Sequence, residues 1–140
     1  MTRDQLRAAL IADEGLRLKP YRDTAGVLTI GVGRNLDAVG LSRGEVDQML
    51  ENDIDRAVRD CTIRLGSWFA TLDPARQGVL VQMTFQLGIA GLLGFPQTLA
   101  AVKRGDYAGA AAQMLASKWA SQTSRRAARL AAQMESGILA

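Results

Sequence analysis

The sequence predicts an α+β fold, predominantly α-helical, and three observations carry that reading. Alternation of apolar and polar residues, the period of a half-buried strand, is convincing only between Leu16 and Val32. Past that stretch the apolar residues recur at helical spacing as far as the chain runs. Four helix-starting residues, Thr2, Ser42, Asp73 and Asp106, divide the apolar runs into separate helices.

The first helix opens on Thr2-Arg3-Asp4-Gln5, the T-x-x-Q pattern of a capping box, and runs to about Asp13 with Leu6, Ala9 and Leu10 as its inner face. Gly15 fits the position just past a helix end, so Glu14 is expected at the helix C-terminus rather than on a loop tip. Leu16 and Leu18 then alternate with Arg17 and Lys19, and Pro20 marks an edge strand. Asp23-Thr24-Ala25-Gly26 supplies turn residues. Val27 to Val32 reads as a strand with Leu28, Ile30 and Val32 on one face and Thr29 on the other. Gly31 and Gly33 are small enough to let another group approach the backbone.

The remainder is helical. Ser42-Arg43-Gly44-Glu45 is a second capping box and introduces a stripe of Val46, Met49, Leu50, Ile54, Ala57, Val58 and Cys61. Asp73-Pro74 starts a helix over residues 74–87 that is apolar on all sides, as befits a helix surrounded by others. Gly88, Gly91 and Gly94 break the chain into short pieces before a helix from Pro96 to about Arg104. Asp106 caps the next helix, which runs towards Trp119, and a last one from near Ser124 buries Leu130 and Met134.

Composition narrows the chemistry. A 140-residue chain buries roughly two-thirds of its unfolded surface without disulfides or metals, enough for one domain. With no histidine and one cysteine, Cys61, there is no intramolecular disulfide, no Cys/His zinc site and no histidine base. Cys61 falls on an apolar stripe and reads as a core residue. General acid–base work falls to Asp, Glu, Lys or Tyr. The N-terminus has no apolar run long enough for a signal peptide or membrane anchor, so a cytoplasmic origin is expected. Net charge is +3, and residues 103–140 carry six basic against two acidic groups, an excess that suits a nucleic acid, a membrane surface or an acidic cell-wall polymer. A solvated helix face explains the same charge without a partner.

Glu14 and Asp23, nine residues apart, are followed by Thr29 on a strand. Two carboxylates and a hydroxyl are the minimal set for acid-catalysed cleavage of a glycosidic bond. Each residue also has an ordinary explanation: a helix-end carboxylate, a turn-forming Asp, a strand-forming Thr. The full stretch from Glu14 to Gly33, EGLRLKPYRDTAGVLTIGVG, is far more specific, and it resembles the N-terminal signature of the phage-type lysozymes of the T-even endolysin family. The resemblance continues through Gln82–Gly88, Ala90–Phe95 and Ser117–Thr123 with Arg125, Arg126 and Arg129, essentially the whole chain.

That resemblance implies a lysozyme-like two-lobed fold and a peptidoglycan hydrolase, cleaving the β-1,4 bond between N-acetylmuramic acid and N-acetylglucosamine with inversion. Its implied organisation is a single domain over 1–140: a β lobe over 14–45, a helical lobe over 1–13 and 62–140, and a connecting helix over 46–61. Glu14 is implied as general acid, Asp23 as general base or charge stabiliser, and Thr29 as the hydroxyl that positions the attacking water. Asn35, Phe85, Gln86, Thr98, Gln113 and Arg126 are implied to bind substrate, Arg126 also contacting Glu14. No cofactor or metal, no nucleic acid and no stable membrane insertion are implied. A monomer released by a holin, acting on the wall from the host cytoplasm, is the expected setting. The chain departs from the T-even pattern at Arg34, where a histidine stands in the family, and in the short link from Asn35 to Leu41.

Overall fold

The computed structural model describes residues 1–139. In chain order the elements are α1 (Arg3–Glu14), β1 (Arg17–Arg22), β2 (Leu28–Gly31), β3 (Arg34–Asn35), α2 (Arg43–Leu65), α3 (Ser67–Ala70), α4 (Pro74–Leu93), α5 (Pro96–Lys103), α6 (Tyr107–Leu115), α7 (Lys118–Gln122) and α8 (Ser124–Ser136). The fold is α+β and predominantly helical, with one small antiparallel sheet. Residue contacts divide the chain into two compact units, Met1–Met49 and the segment from Leu50 onward, the boundary falling inside α2. In this division α1 belongs with the sheet, whereas the sequence reading groups residues 1–13 with 62–140.

In the first unit, local hydrogen bonding sets the elements. Both halves of the Thr2 capping box form, Gln5 N–H donating to Thr2 Oγ1 and Thr2 N–H to Gln5 Oε1. The helix ends as expected at Glu14, where Gly15 N–H donates to the Ile11 carbonyl at 2.8 Å. The sheet order is β1-β2-β3, all antiparallel, with Tyr21 opposite Thr29 and Thr29 opposite Asn35. Pro20 lies on the edge strand, in the irregular stretch between Arg17 and Tyr21. The third strand is a correction to the single hairpin expected. Arg34 and Asn35 have no strand-like pattern of their own and pair only because the chain reverses at Gly33, φ +64°.

Burial here differs from the alternation argument. Thr29 is the only buried side chain of the first unit among the described residues, and Leu28 and Ile30 are half-buried. Leu18 is 87% exposed, and Leu6 and Leu10 of α1 about half exposed. Strands of six, four and two residues are too short to enclose an apolar layer. A Thr hydroxyl that donates to the Val27 carbonyl at 2.8 Å is buried at little cost. The expected stripe on α2 is buried only at Ala57 and Cys61, with Val46, Met49, Leu50, Ile54 and Val58 exposed.

The Ser42 box that starts α2 forms, and Arg34 Nη1 adds an ion pair to Glu45 at 2.5 Å. The Arg34 hydrogen bond, followed by that from the Ser42 amide, pulls the Glu45 carboxyl down from about 4.5 to about 2. A carboxyl that is more acidic folded than unfolded stabilises the fold above the unfolded value and ceases to do so as pH falls towards 2. Carboxyl-detected NMR titration is expected to place Glu45 at the bottom of the carboxylate range, and Arg34→Ala to move it part of the way back, the Ser42 hydrogen bonds remaining. An unchanged midpoint in that variant would remove the ion pair as the cause.

The second unit holds the apolar core. Leu80, Met83, Leu92, Met114, Leu130 and Met134 are fully buried, with Val79, Val102, Ala110 and Ala127 between them. The helix α4, expected to be surrounded by others, buries Ala75, Val79, Leu80, Met83, Thr84 and Leu92 but exposes Gln82 and Phe85. Asp73 caps it by accepting from Arg76 N–H at 3.1 Å, and Pro74 takes the first helical position. Of the three glycines expected to break this region, Gly88 alone interrupts it, at φ +75° and ψ 163°. Gly91 is helical and Gly94 closes the element. A short α3 and a break between α6 and α7 are further differences from the sequence reading. Cys61 is a core thiol as expected, fully buried, 3.2 Å from Thr84 Oγ1, and pushed up by that burial.

One side chain ties three helices of this unit together. Arg76 on α4 donates from Nε to the Met134 carbonyl at 2.7 Å and from Nη2 to the Glu135 carbonyl at 2.8 Å, occupying orphan acceptors at the end of α8. Its Nη1 pairs with Asp73 at 3.1 Å, and its guanidinium sits 3.6 Å from the Tyr107 ring centroid on α6. Burial alone would raise the Asp73 carboxyl. The Arg76 amide and guanidinium outweigh that, so it stays below the ordinary range.

Candidate active site

The three residues singled out as catalytic lie together in the first unit, at the end of α1, in the β1–β2 turn and on β2. Glu14 is the last residue of α1 and is exposed. Its position is limited by Gly33. A methyl group built at Gly33 would fall 2.7 Å from Glu14 Oε2 and 3.1 Å from Glu14 Cβ, so the carboxylate packs where only glycine leaves room. The expected close approach is thus made at Gly33, while nothing lies within 4 Å of such a group at Gly31. The negative end of the helix dipole faces Glu14, and no basic residue lies in the last turn of α1.

Asp23 holds the turn with one oxygen. Its Oδ1 accepts from Ala25 N–H and Val27 N–H, each at 2.9 Å, and its own N–H donates to the Val27 carbonyl. Oδ2 has no partner among the described residues and remains open to a ligand or water. Thr29, on the next strand, donates to Val27, leaving its oxygen lone pairs as the group that can accept a hydrogen bond. The arrangement offers an exposed acid, an open carboxylate oxygen and a hydroxyl acceptor within 16 residues of chain.

The residues assigned to substrate binding are spread over both units. Asn35 pairs with Thr29 across the sheet, and its Oδ1 is engaged by Ala38 N–H at 2.9 Å. In the second unit, Gln86 Oε1 accepts from Trp119 Nε1 at 3.0 Å, which leaves its amide NH2 available. Gln86 shares a shallow surface depression with Thr123, Ser124, Arg125 and Arg126. Arg126 is exposed there, Phe85 is 50% exposed, and Gln113 is exposed on α6. Thr98 is different. It is 2% exposed, on the side of α5 that carries the buried Ala101 and Val102. Gly33 had a sequence signal only as a small residue; its bearing on Glu14 depends on a contact between residues 19 positions apart.

The helical scaffold, the small sheet and this carboxylate-bearing turn define a lysozyme-like chain, and the chain belongs to the phage lysozyme family, whose model matches residues 12–134. Among relatives, the probable T4-type lysozyme 1 of Dictyostelium discoideum is 28% identical over 91% of both chains. The SAR-endolysin of Escherichia phage Mu is 30% identical over 91% of this chain and 78% of its own. The pre-baseplate central spike protein Gp5 of Enterobacteria phage T4 is 30% identical over 84% of this chain, which matches 25% of that longer protein. Among the described residues no single helix is long and apolar enough to cross a membrane.

Proposed function

We propose that this chain is a peptidoglycan hydrolase, an N-acetylmuramidase that cleaves the β-1,4 bond between N-acetylmuramic acid and N-acetylglucosamine. The observation that carries the reading is the Glu14–Gly33 stretch in a member of the phage lysozyme family: a carboxylate packed against Gly33, a turn carboxylate with one open oxygen, and a hydroxyl on the strand that follows the turn. Glu14 donates the proton to the leaving glycosidic oxygen. Asp23, ionised and open at Oδ2, accepts a proton from water or stabilises positive charge on the sugar ring. Thr29 accepts a hydrogen bond from that water and aims it, and attack from the opposite face inverts the anomeric carbon.

Asn35, Phe85, Gln86, Thr98, Gln113 and Arg126 are the proposed substrate contacts, Thr98 being the most buried of them. The enzyme works as a monomer without a cofactor, and a holin gives it access to the wall. The relationship to the phage spike protein favours one alternative, a virion-associated module of the same fold. Mass analysis of digested peptidoglycan tests the reaction. Fragments ending in reducing N-acetylmuramic acid are expected, whereas anhydro-muramic ends would replace hydrolysis by transglycosylation. Wall binding without any released fragment would leave only the binding module.

A further inference from the structure

We propose that the outward face of α8 is a docking surface for a phosphodiester polymer carried by the bacterial cell wall. The proposal rests on the cell-wall reading for where the partner is found, but not on bond cleavage. One side of α8 is closed into the core by Ala127, Leu130, Ala131 and Met134. At 3.6 residues per turn the opposite side carries Arg125, Ala128, Arg129 and Ala132, all exposed. Arg34, Arg43, Arg56, Arg76 and Arg104 each pair with a carboxylate. Arg125 and Arg129 have no ion pair or ring contact among the described residues. With Lys103, Lys118 and Arg126 they belong to a segment, residues 103–140, of six basic and two acidic groups in which Arg104 alone has an ion pair among the described residues.

The chemistry of this face selects a partner. Guanidinium groups bind phosphate through paired hydrogen bonds, and two at i and i+4 stand roughly 6 Å apart, a spacing that lets one chain engage both. Ala128 and Ala132 keep the surface between them low, so a polymer can lie along the helix. The outward side has no large apolar residue to enter a bilayer. It has no aromatic residue on which a nucleic-acid base would stack, Trp119 being buried. A flexible polyphosphodiester satisfies the charge without either.

The test uses the full chain as Glu14→Gln, sedimented with purified wall that retains its phosphodiester polymer and with the same wall stripped of it by hydrofluoric acid. Retention is expected to be several-fold greater on the intact wall and to fall roughly tenfold between 50 and 200 mM salt. Arg125→Glu/Arg129→Glu is expected to abolish that difference, and Arg125→Gln/Arg129→Gln to reduce it. Arg3→Glu/Arg59→Glu, an equal change of net charge elsewhere, is expected to preserve it. Equal retention on stripped wall, equal loss in the Arg3/Arg59 control, or competition by anionic phospholipid vesicles as effective as by free polymer would each overturn the proposal. Release of reducing sugar by the unsubstituted chain is measured separately, so loss of the hydrolase reading and loss of the docking surface give different results.

Discussion

Exchanging Glu14 for glutamine is expected to slow wall lysis by about 10²–10⁴-fold, the usual contribution of a general acid or base. Glutamine keeps the shape of the side chain and its packing against Gly33 but cannot give up a proton to a leaving oxygen. Stability should not follow activity down. Glu14 is exposed, and its charge sits at the negative end of α1 with no basic residue in the last turn. Removing a carboxylate from that position favours the helix by about 0.3–1 kcal/mol. The variant should therefore be inactive and unfold at an equal or slightly higher temperature. Clearing of a suspension of purified bacterial cell wall, read beside a thermal melt, is the measurement. Lysis that persists in Glu14→Gln would take the proton-donor role away from this residue, and a large fall in melting temperature would make lost activity uninformative about chemistry.

The largest effect on stability is expected at Arg76. Arg76→Ala leaves two carbonyls at the end of α8 without their donors, removes the Asp73 pair at the start of α4 and empties the stack on Tyr107. With the side chain 15% exposed, water replaces these partners poorly. A loss of about 2–4 kcal/mol is expected, or a fall in melting temperature of roughly 6–12 °C for a chain of this size. Arg76→Lys keeps the charge but not the planar fork, and should recover less than half of the loss. A lysine variant as stable as the parent would show that charge alone matters, contrary to the geometry. Hydrogen exchange adds a second readout, since the last turn of α8 should lose protection together with the first turn of α4.

The helix starts were legible because their causes are local. Thr2, Ser42, Asp73 and Asp106 each accept from an amide three residues on, a relation visible in sequence. The β1–β2 turn was legible for the same reason, Asp23 binding amides two and four residues ahead. What was not legible depended on distant partners. Arg34 and Asn35 form a strand only because β2 is there to pair with them. Arg76 is an unremarkable helix residue by sequence, and its partners lie 58 and 59 positions away. Thr29 and Thr98 show the limit of the pattern argument from opposite sides. A threonine expected on the face opposite Leu28 and Ile30 proved the most buried residue of the first unit, and one assigned to a binding surface is buried. The residues Glu14, Asp23 and Thr29 were named from the resemblance. The structure adds how each is held: Gly33 limiting one, a turn fixing the second, a strand carbonyl engaging the third.

The division of labour within the Asp23 carboxylate has a practical consequence. Asparagine retains a side-chain oxygen that can accept from Ala25 and Val27, so it can keep the turn, and it replaces the open Oδ2 by an uncharged amide. Fold and charge are thus separable at one atom of one side chain. If Asp23 has the catalytic role proposed for it, an Asp23→Asn protein would keep its shape while losing the carboxylate, which is the property wanted in an inert capture reagent: a labelled probe that grips its target long enough to be isolated with it and leaves the target uncut.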